Sequence, residues 1–252
     1  MQVYIVGAGP GDPDLITVKG ARLLSQADVV IYAGSLVNPQ LLAGCKEGAA
    51  IYDSASMTLD EVLEVIVAAV GKGLMVVRLH TGDPSIYGAI KEQIDGLAAQ
   101  GIDCEVIPGV SSFVGAASRV KKEFTLPGVS QTVILTRLEG RTGVPEKEKL
   151  AGLASHRASM CIFLSVGMMD KVVEELVAGG YAPATPVAVV HKATWPDEQV
   201  IEATLATISA KVKDANIGKT AMIMVGDFLN TSYEKSKLYD PSFAHEYRGI
   251  KS

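Results

Sequence analysis

Short apolar runs rich in β-branched residues alternate with helical patterns along most of the chain. Residues 3–6, 29–32, 75–79 and 104–107 are continuous enough to predict buried strands, each bounded by Gly, Pro or Asp. Between the second and third runs, Leu59, Val62, Leu63, Ile66, Val67 and Val70 fall at i, i+3, i+4, i+7, i+8 and i+11, one face of a helix. Ile86, Ile90, Ile94 and Leu97 repeat that spacing. Strand–helix alternation of this kind predicts parallel βαβ units with right-handed crossovers over residues 1–120.

Lys121-Lys122-Glu123 interrupts the apolar text, and a second series follows over residues 121–252. Runs at 131–138, with Val133 and Leu135 on one face, and at 160–164, 187–190, 200–203 and 221–225 predict strands. Met169, Val172, Val173, Leu176 and Val177 predict an amphipathic helix stopped by Gly179-Gly180. Several of these strands follow one another without a full helix between them, so the second sheet is expected to be mixed. After Asn230 the chain is polar and aromatic. Tyr233, Leu238, Tyr239, Phe243 and Tyr247 are costly to leave in water, which predicts a packed extension.

Of 252 residues, 48% are hydrophobic and 20% charged, enough apolar material for a sizeable core. The net charge of −5 disfavours a whole-surface attraction to nucleic acid or anionic lipid, both of which need a basic field. An anionic ligand would therefore have to meet a local basic patch. Cys45, Cys104 and Cys161 are far apart, odd in number and form no Cys-x-x-Cys pair, so they read as buried small hydrophobes in a reducing compartment. His80, His156, His191 and His245 have no metal-ligand spacing, and no metal site is expected. Met1 to Ile5 already reads as strand rather than signal peptide, and the uncharged stretch from Val29 to Cys45 holds Gly, Ser, Asn, Pro and Gln. A cytoplasmic enzyme, with no membrane association, is the expectation.

Three strand-to-helix turns carry the candidate chemistry. Gly7-Ala8-Gly9-Pro10-Gly11-Asp12-Pro13 approaches a dinucleotide fingerprint, but Asp12 stands where the third Gly or Ala belongs. The next strand ends Ile31-Tyr32-Ala33-Gly34, without the acid that would meet a ribose, so NAD is disfavoured. Gly218-Lys219-Thr220 has the ending of a Walker loop, yet position 213 is Lys and the segment precedes a strand. The second turn is Thr81-Gly82-Asp83-Pro84-Ser85-Ile86. Asp83 there reads either as the N-cap of a helix with Pro84 at its first position, or as a carboxylate beside a glycine that a ligand backs onto. The third is Pro108-Gly109-Val110-Ser111-Ser112, whose serines could cap a helix or bond a ligand. All three should lie at the carboxyl ends of parallel strands, where open α/β sheets bind ligands. They contain no lysine, which disfavours a triphosphate. Carboxylate, hydroxyls and exposed backbone suit a ligand with ribose hydroxyls and a positive charge. S-adenosylmethionine fits that description, as do other nucleosides.

Together these turns resemble the tetrapyrrole methylases, the S-adenosylmethionine-dependent enzymes of sirohaem and cobalamin synthesis. The resemblance spans nearly the whole chain. Residues 6–20, Thr81-Gly82-Asp83-Pro84 and Pro108-Gly109-Val110-Ser111-Ser112 look like family signatures. Gly34-Ser35-Leu36-Val37-Asn38-Pro39 and Leu135-Thr136-Arg137-Leu138-Glu139-Gly140-Arg141-Thr142 are more specific. With Ser236-Lys237-Leu238-Tyr239 and His245-Glu246-Tyr247-Arg248, they are similar to the branch acting at C11 of precorrin-4 or cobalt-precorrin-4 in cobalamin biosynthesis. A different corrin-pathway carbon is the alternative. Relatives within the fold also act on a diphthamide precursor or on ribosomal RNA, and the acidic charge disfavours RNA. This chain departs from the pattern at Arg141-Thr142-Gly143-Val144-Pro145 and at Lys219-Thr220-Ala221-Met222.

The resemblance implies a homodimer of two-lobed α/β subunits, with a mainly parallel N-terminal sheet, a mixed C-terminal sheet and a cleft between them. It implies S-adenosylmethionine as cofactor, leaving as S-adenosylhomocysteine. The implied contacts are Pro10, Thr81, Gly82, Asp83, Ile86, Ser111, Ser112, Val166, Ala193 and Ala221. Val166 reads equally as core at a strand end, and Ala193 as simple packing. Methyl transfer to C11 makes a quaternary carbon, so no proton need leave that atom, and no catalytic acid or base is assigned. The protein's task is then positioning, which can supply about 7–11 kcal/mol of barrier lowering. A substrate bearing many carboxylates needs arginines. Arg137 and Arg141 are the candidates, with Glu139 orienting them or meeting a ring nitrogen, and Lys121, Lys122 and Lys192 are weaker ones.

Overall fold

Strand β1 (Val3–Gly7) lies between β4 (Val76–His80) and β5 (Cys104–Ile107) in a computed structural model that describes residues 2–236, 242–244 and 246. With β2 (Val29–Tyr32) and β3 (Ala50–Asp53) these make a parallel five-stranded sheet of order β3-β2-β4-β1-β5. Side chains alternate across it, as the strand period of two requires. On one face Val6, Val30, Val77 and Leu79 pack with Leu23 and Leu24 of helix α1 (Val18–Gln26). On the other, Val3, Val29, Ile31 and Val76 meet Val62, Ile66 and Ala69 of α2 (Leu59–Gly71) and Leu97 of α3 (Ile90–Ala99). Each such large side chain taken from water contributes about 1.5–3 kcal/mol. Thr58 and Glu61 form a reciprocal capping box that starts α2, and Gly73, at φ +77°, helps end it.

A second sheet has order β6-β7-β10-β8-β9, from β6 (Val133–Arg137), β7 (Ser159–Phe163), β8 (Pro186–His191), β9 (Gln199–Thr204) and β10 (Ala221–Val225). β6 runs parallel to β7, while β10 is antiparallel to both β7 and β8, so this sheet is mixed. Val172 and Leu176 of α6 (Met169–Ala178), Leu205, Ile208 and Val212 of α7 (Leu205–Asp214), and Leu150 of α5 (Leu150–Ala154) build its core with Met160, Ile162, Val187, Val189, Ile223 and Val225. The chain divides into two units, Met1–Arg119 with Lys192–Gln199, and Val120–His191 with Val200–Ser252; α4 (Ser112–Val120) ends at that division.

Several sequence expectations are corrected. β3 was not foreseen because its apolar run, Ala50-Ile51-Tyr52, is only three residues long and lies exposed at a sheet edge. The third helix begins at Ile90, not at Pro84, and its N-cap residue is Ala89 rather than Asp83. Tyr87 and Ala89 have positive φ (55° and 49°), which breaks the helical path the isoleucine spacing suggested. Cys161 is buried, and burial pushes its thiol upward, but Cys45 and Cys104 are only half-buried. Tyr233 is 59% and Phe243 41% exposed, against the expected packed tail. Lys237, Leu238, Tyr239, His245, Tyr247 and Arg248 lie outside the described residues. No helix among the described residues is long and apolar enough to cross a membrane.

Candidate active site

The register Gly7↔His80 and Val6↔Ile107 sends the turns after β1, β4 and β5 out of one rim of the first sheet. There they bond to one another. Gly9 and Gly82 exchange backbone hydrogen bonds, at 3.2 Å from the Gly9 N–H and 2.8 Å from the Gly82 N–H. A Cβ on Gly109 would lie 2.2 Å from the Gly82 carbonyl oxygen, and one on Gly7 would lie 2.6 Å from the Gly109 Cα. A Cβ on Gly82 would meet nothing closer than 3.4 Å, although its φ of +59° still favours glycine. Gly7 and Gly109 thus let the three turns close on each other.

Asp83 ties this arrangement together. Its Oδ1 accepts from the Ser85 N–H at 2.9 Å and from the Ser85 hydroxyl, and its Oδ2 accepts from the Gly109 N–H at 2.9 Å. Burial opposes ionisation, but the bonds from the Ser85 hydroxyl and the Gly109 and Ser85 amides outweigh it and hold the carboxyl below its ordinary value. Asp83 is therefore a carboxylate at neutral pH, and Oδ2 retains a lone pair for a further donor. Thr81 and Ile86 flank it, both half-buried. The Ser111 carbonyl accepts the first bonds of α4, from Val114 and Gly115 at 3.1 Å, and Ser112 is the helix's first residue.

The first turn is held from two sides. The buried Asn38 donates through Nδ2 to the Gly11 carbonyl at 2.8 Å, which gives the Gly34–Pro39 block a structural purpose. The segment Lys192–Gln199 folds against the same turn. Thr194 Oγ1 accepts from the Asp12 N–H at 2.9 Å, Trp195 Nε1 donates to the Pro10 carbonyl at 3.1 Å, and the Trp195 ring fills the space a Cβ on Gly11 would need. Glu198 secures the segment by accepting from the Thr194 N–H at 2.6 Å and from Arg119 Nε at 2.8 Å. Ala193 is buried, with its carbonyl 2.9 Å from that same Gly11 position. Lys192 pairs with Asp197 and lies 5.4 Å over the Trp195 ring, so it is occupied locally. Thr194 and Trp195 were missed in the sequence because their partners lie more than 180 residues away.

In the second unit, Arg137 ends β6, Val166 follows β7, and Ala221 opens β10. The pairings Arg137↔Phe163 and Ala221↔His191 place all three at one rim of that sheet. Arg137 Nη1 and Nη2 donate to the carbonyls of Thr142 (3.1 Å) and Gly143 (2.6 Å), with a longer bond to Leu138 (3.4 Å). This guanidinium shapes the 138–143 loop. Glu139 is half-buried beside Gly143 and makes no ion pair with Arg137 or Arg141, and Arg141 is exposed. Val166 is part of the apolar core, and Ala221 packs partly against it. Ser165, fully buried, accepts from the Leu138 N–H at 2.9 Å and donates to the Phe163 carbonyl at 2.6 Å, joining the two loops. A serine after an apolar strand gave no sequence signal for that. No cluster of His, Cys, Asp or Glu among the described residues has the arrangement of a metal site.

The family model of the Tetrapyrrole (Corrin/Porphyrin) Methylases matches residues 2–209. The chain is 61% identical over 248 residues to the cobalt-precorrin-4 C(11)-methyltransferase of Methanocaldococcus jannaschii, covering 98% of this chain and 96% of that protein. It is 47% identical over 249 residues to the precorrin-4 C(11)-methyltransferase of Pseudomonas aeruginosa, covering 98% and 99%. Among solved structures, a cobalamin biosynthetic enzyme, cobalt precorrin-4 methyltransferase, superimposes with a TM-score of 0.89 at 49% identity, covering 91% of this chain and 96% of that one. The uroporphyrin-III C-methyltransferase of Thermus thermophilus, complexed with S-adenosylhomocysteine, superimposes with a TM-score of 0.76 at 29% identity, covering 93% and 96%.

Proposed function

The chain belongs to the tetrapyrrole methylases, and from that premise we propose that it moves a methyl group from S-adenosylmethionine to C11 of precorrin-4 or cobalt-precorrin-4 in cobalamin biosynthesis. The observation that carries this reading is the 61% identity with the Methanocaldococcus enzyme over 98% of this chain. The rim chemistry fits the cofactor. Three turns meet around an ionised Asp83 with a free lone pair; one of them carries Ser111 and Ser112, and none carries a lysine. That donor set suits an ammonium group and ribose hydroxyls and would repel a pyrophosphate.

When bound, S-adenosylmethionine supplies a methyl group already activated on a sulfonium and leaves as S-adenosylhomocysteine. Asp83, Gly82 and Thr81, with Pro10, Ile86, Ser111, Ser112 and Ala193, hold the cofactor. A charge-assisted bond to Asp83 contributes about 1.5–3 kcal/mol. The resemblance adds Val166 and Ala221 as proposed cofactor contacts. Arg137 fixes the 138–143 loop, through which Arg141 and Glu139 meet the polycarboxylate macrocycle.

The test is incubation with precorrin-4 and, separately, cobalt-precorrin-4 in the presence of methyl-labelled S-adenosylmethionine, followed by NMR location of the new methyl. Label at C11 is expected, and the better substrate identifies the route. Label at another corrin carbon, or none, overturns the assignment. The family resemblance also supports a homodimer, to be read from the sedimentation mass. Three free cysteines support a reducing, cytoplasmic location.

A further inference from the structure

Within the first unit, a cavity of about 270 Å³ opens beside the carboxyl ends of β2 and β4, with Leu36, Met57, Val62 and Ile86 on its apolar side. A water's share of liquid volume is about 30 Å³, so there is room for a side arm of a larger molecule. Arg78 and His80, two residues apart on β4, both line it and are only 7% and 6% exposed. Arg78 donates from Nε to Gln93 Oε1 at 3.1 Å and from Nη1 to the Ile31 carbonyl at 3.3 Å, both neutral acceptors. Among the described residues it has no carboxylate partner, and three of its five N–H groups remain. His80 Nε2 is buried with no hydrogen-bond partner at all. A buried, unpaired guanidinium beside an orphaned imidazole nitrogen is costly unless something fills the need.

We propose that Arg78 and His80 form a receptor for a carboxylate, and that during methylation this carboxylate is a side arm of the tetrapyrrole; the second half rests on the proposed function above. The planar guanidinium presents the fork that matches a carboxylate. Burial draws Arg78 down to about 10, which leaves it charged at neutral pH. Burial, and then the Arg78 charge, draw His80 down to about 3, so it is neutral and can donate from Nε2 without adding charge. One positive charge with one neutral donor suits a monoanion better than a phosphate dianion. Thr58, at the N-terminus of α2, also lines the cavity, with its N–H and hydroxyl already given to the Glu61 carboxylate at 2.7 and 2.9 Å. Glu92 is the acidic group at the rim; it is exposed and forms no ion pair with Arg78.

The test compares wild type with His80→Leu, which removes the donor, and Arg78→Lys, which keeps the charge and loses the fork. In steady-state methylation of cobalt-precorrin-4, His80→Leu should raise the tetrapyrrole KM about tenfold, or about 1.4 kcal/mol. The calorimetric Kd for S-adenosylhomocysteine should stay within twofold. Sodium propionate should compete with the tetrapyrrole in wild type, and about tenfold more weakly in His80→Leu, at matched ionic strength. Unchanged KM together with unchanged propionate inhibition overturns the receptor. An unchanged KM with lost propionate inhibition upholds a site for a free carboxylate and overturns the side-arm assignment. Should Arg78→Lys fail to fold, His80→Leu carries the test. If wild type methylates neither macrocycle, the proposed function fails instead. The receptor is then judged by whether propionate shifts the His80 imidazole resonances, a null shift overturning it.

Discussion

Acid should destabilise the first unit through a single imidazole. In the unfolded chain His80 takes up a proton near its ordinary value of 6.5, whereas in the folded unit burial and the Arg78 charge delay protonation to about 3. The folded value is depressed, so the stability linked to it is fully present above about 6.5. It is lost as the pH falls through the window down to about 3. Within that window the slope is about 1.4 kcal/mol per pH unit, and from about pH 7 to about pH 5 the loss amounts to about 2 kcal/mol. Trp195 is the only tryptophan and packs on Gly11 in the same unit, so its fluorescence reports the relevant unfolding. Urea titrations at both pH values should show wild type losing about 2 kcal/mol more than His80→Gln, which cannot take up the proton. Asp83 is held below its ordinary value of 3.8, so its own loss on acidification lies beneath both pH values compared and does not blur the comparison. Equal losses in wild type and variant would refute the reasoning, because His80 would then protonate alike in both states.

Three further outcomes follow from the loops at the strand ends of the two sheets. Gly109→Ala places a Cβ 2.2 Å from the Gly82 carbonyl oxygen and should cost about 1–3 kcal/mol by overpacking, together with part of the Asp83–Gly109 bond. In thermal unfolding its Tm should fall further than that of Gly82→Ala, which meets ordinary contacts and carries mainly the positive-φ cost of about 1–2 kcal/mol. Asp83→Asn removes the rim's negative charge and should weaken S-adenosylhomocysteine binding, read by calorimetry, by about tenfold or more. Arg137→Ala frees the carbonyls of Thr142 and Gly143, and should raise the tetrapyrrole KM with little change in S-adenosylhomocysteine Kd; equal changes in both would remove Arg137 from substrate binding.

What the sequence made legible was whatever burial writes into a local pattern. β2 and β5 have the expected limits, and α2 fully buries Val62 and Ile66 of the spaced set and half-buries the rest, with Ala69, outside that set, buried beside them. β3 left only the three-residue run Ala50-Ile51-Tyr52, too short and too exposed at the sheet edge to stand out as a buried strand. The start of α3 was misread for a different reason. Asp83-Pro84 satisfies every local rule for a helix N-terminus, yet the carboxylate is drawn across to Gly109, 26 residues away. The turn then continues through left-handed Tyr87 and Ala89 before the helix starts. Strain at such positions costs about 1–3 kcal/mol each and is kept where surrounding bonds over-determine the backbone. Thr194, Trp195 and Ser165 were hidden similarly, each acting on backbone that only the fold brings near.

The glycines of the three turns divide by what stands next to them: Gly7, Gly11 and Gly109 face protein within 3 Å, whereas a Cβ on Gly82 would meet nothing closer than 3.4 Å. A glycine-rich turn at a strand end suggests that a ligand approaches the backbone. Here the space is taken by protein: Gly82 and Gly109 backbone over Gly7, and the Trp195 ring over Gly11. With the backbone of Gly7, Gly11 and Gly109 spent on closing the turns, recognition passes to Gly82 and to side chains that the closed turns hold in place. Asp83 is bound to this arrangement doubly, since the Gly109 amide that fixes its position also stabilises its charge. A carboxylate fixed by the backbone of a neighbouring turn does not reorganise when a cation arrives, so its attraction is delivered without the entropic cost of ordering it. On this account loosening Gly109 should injure ligand binding through Asp83, even though Gly109 itself need touch no ligand.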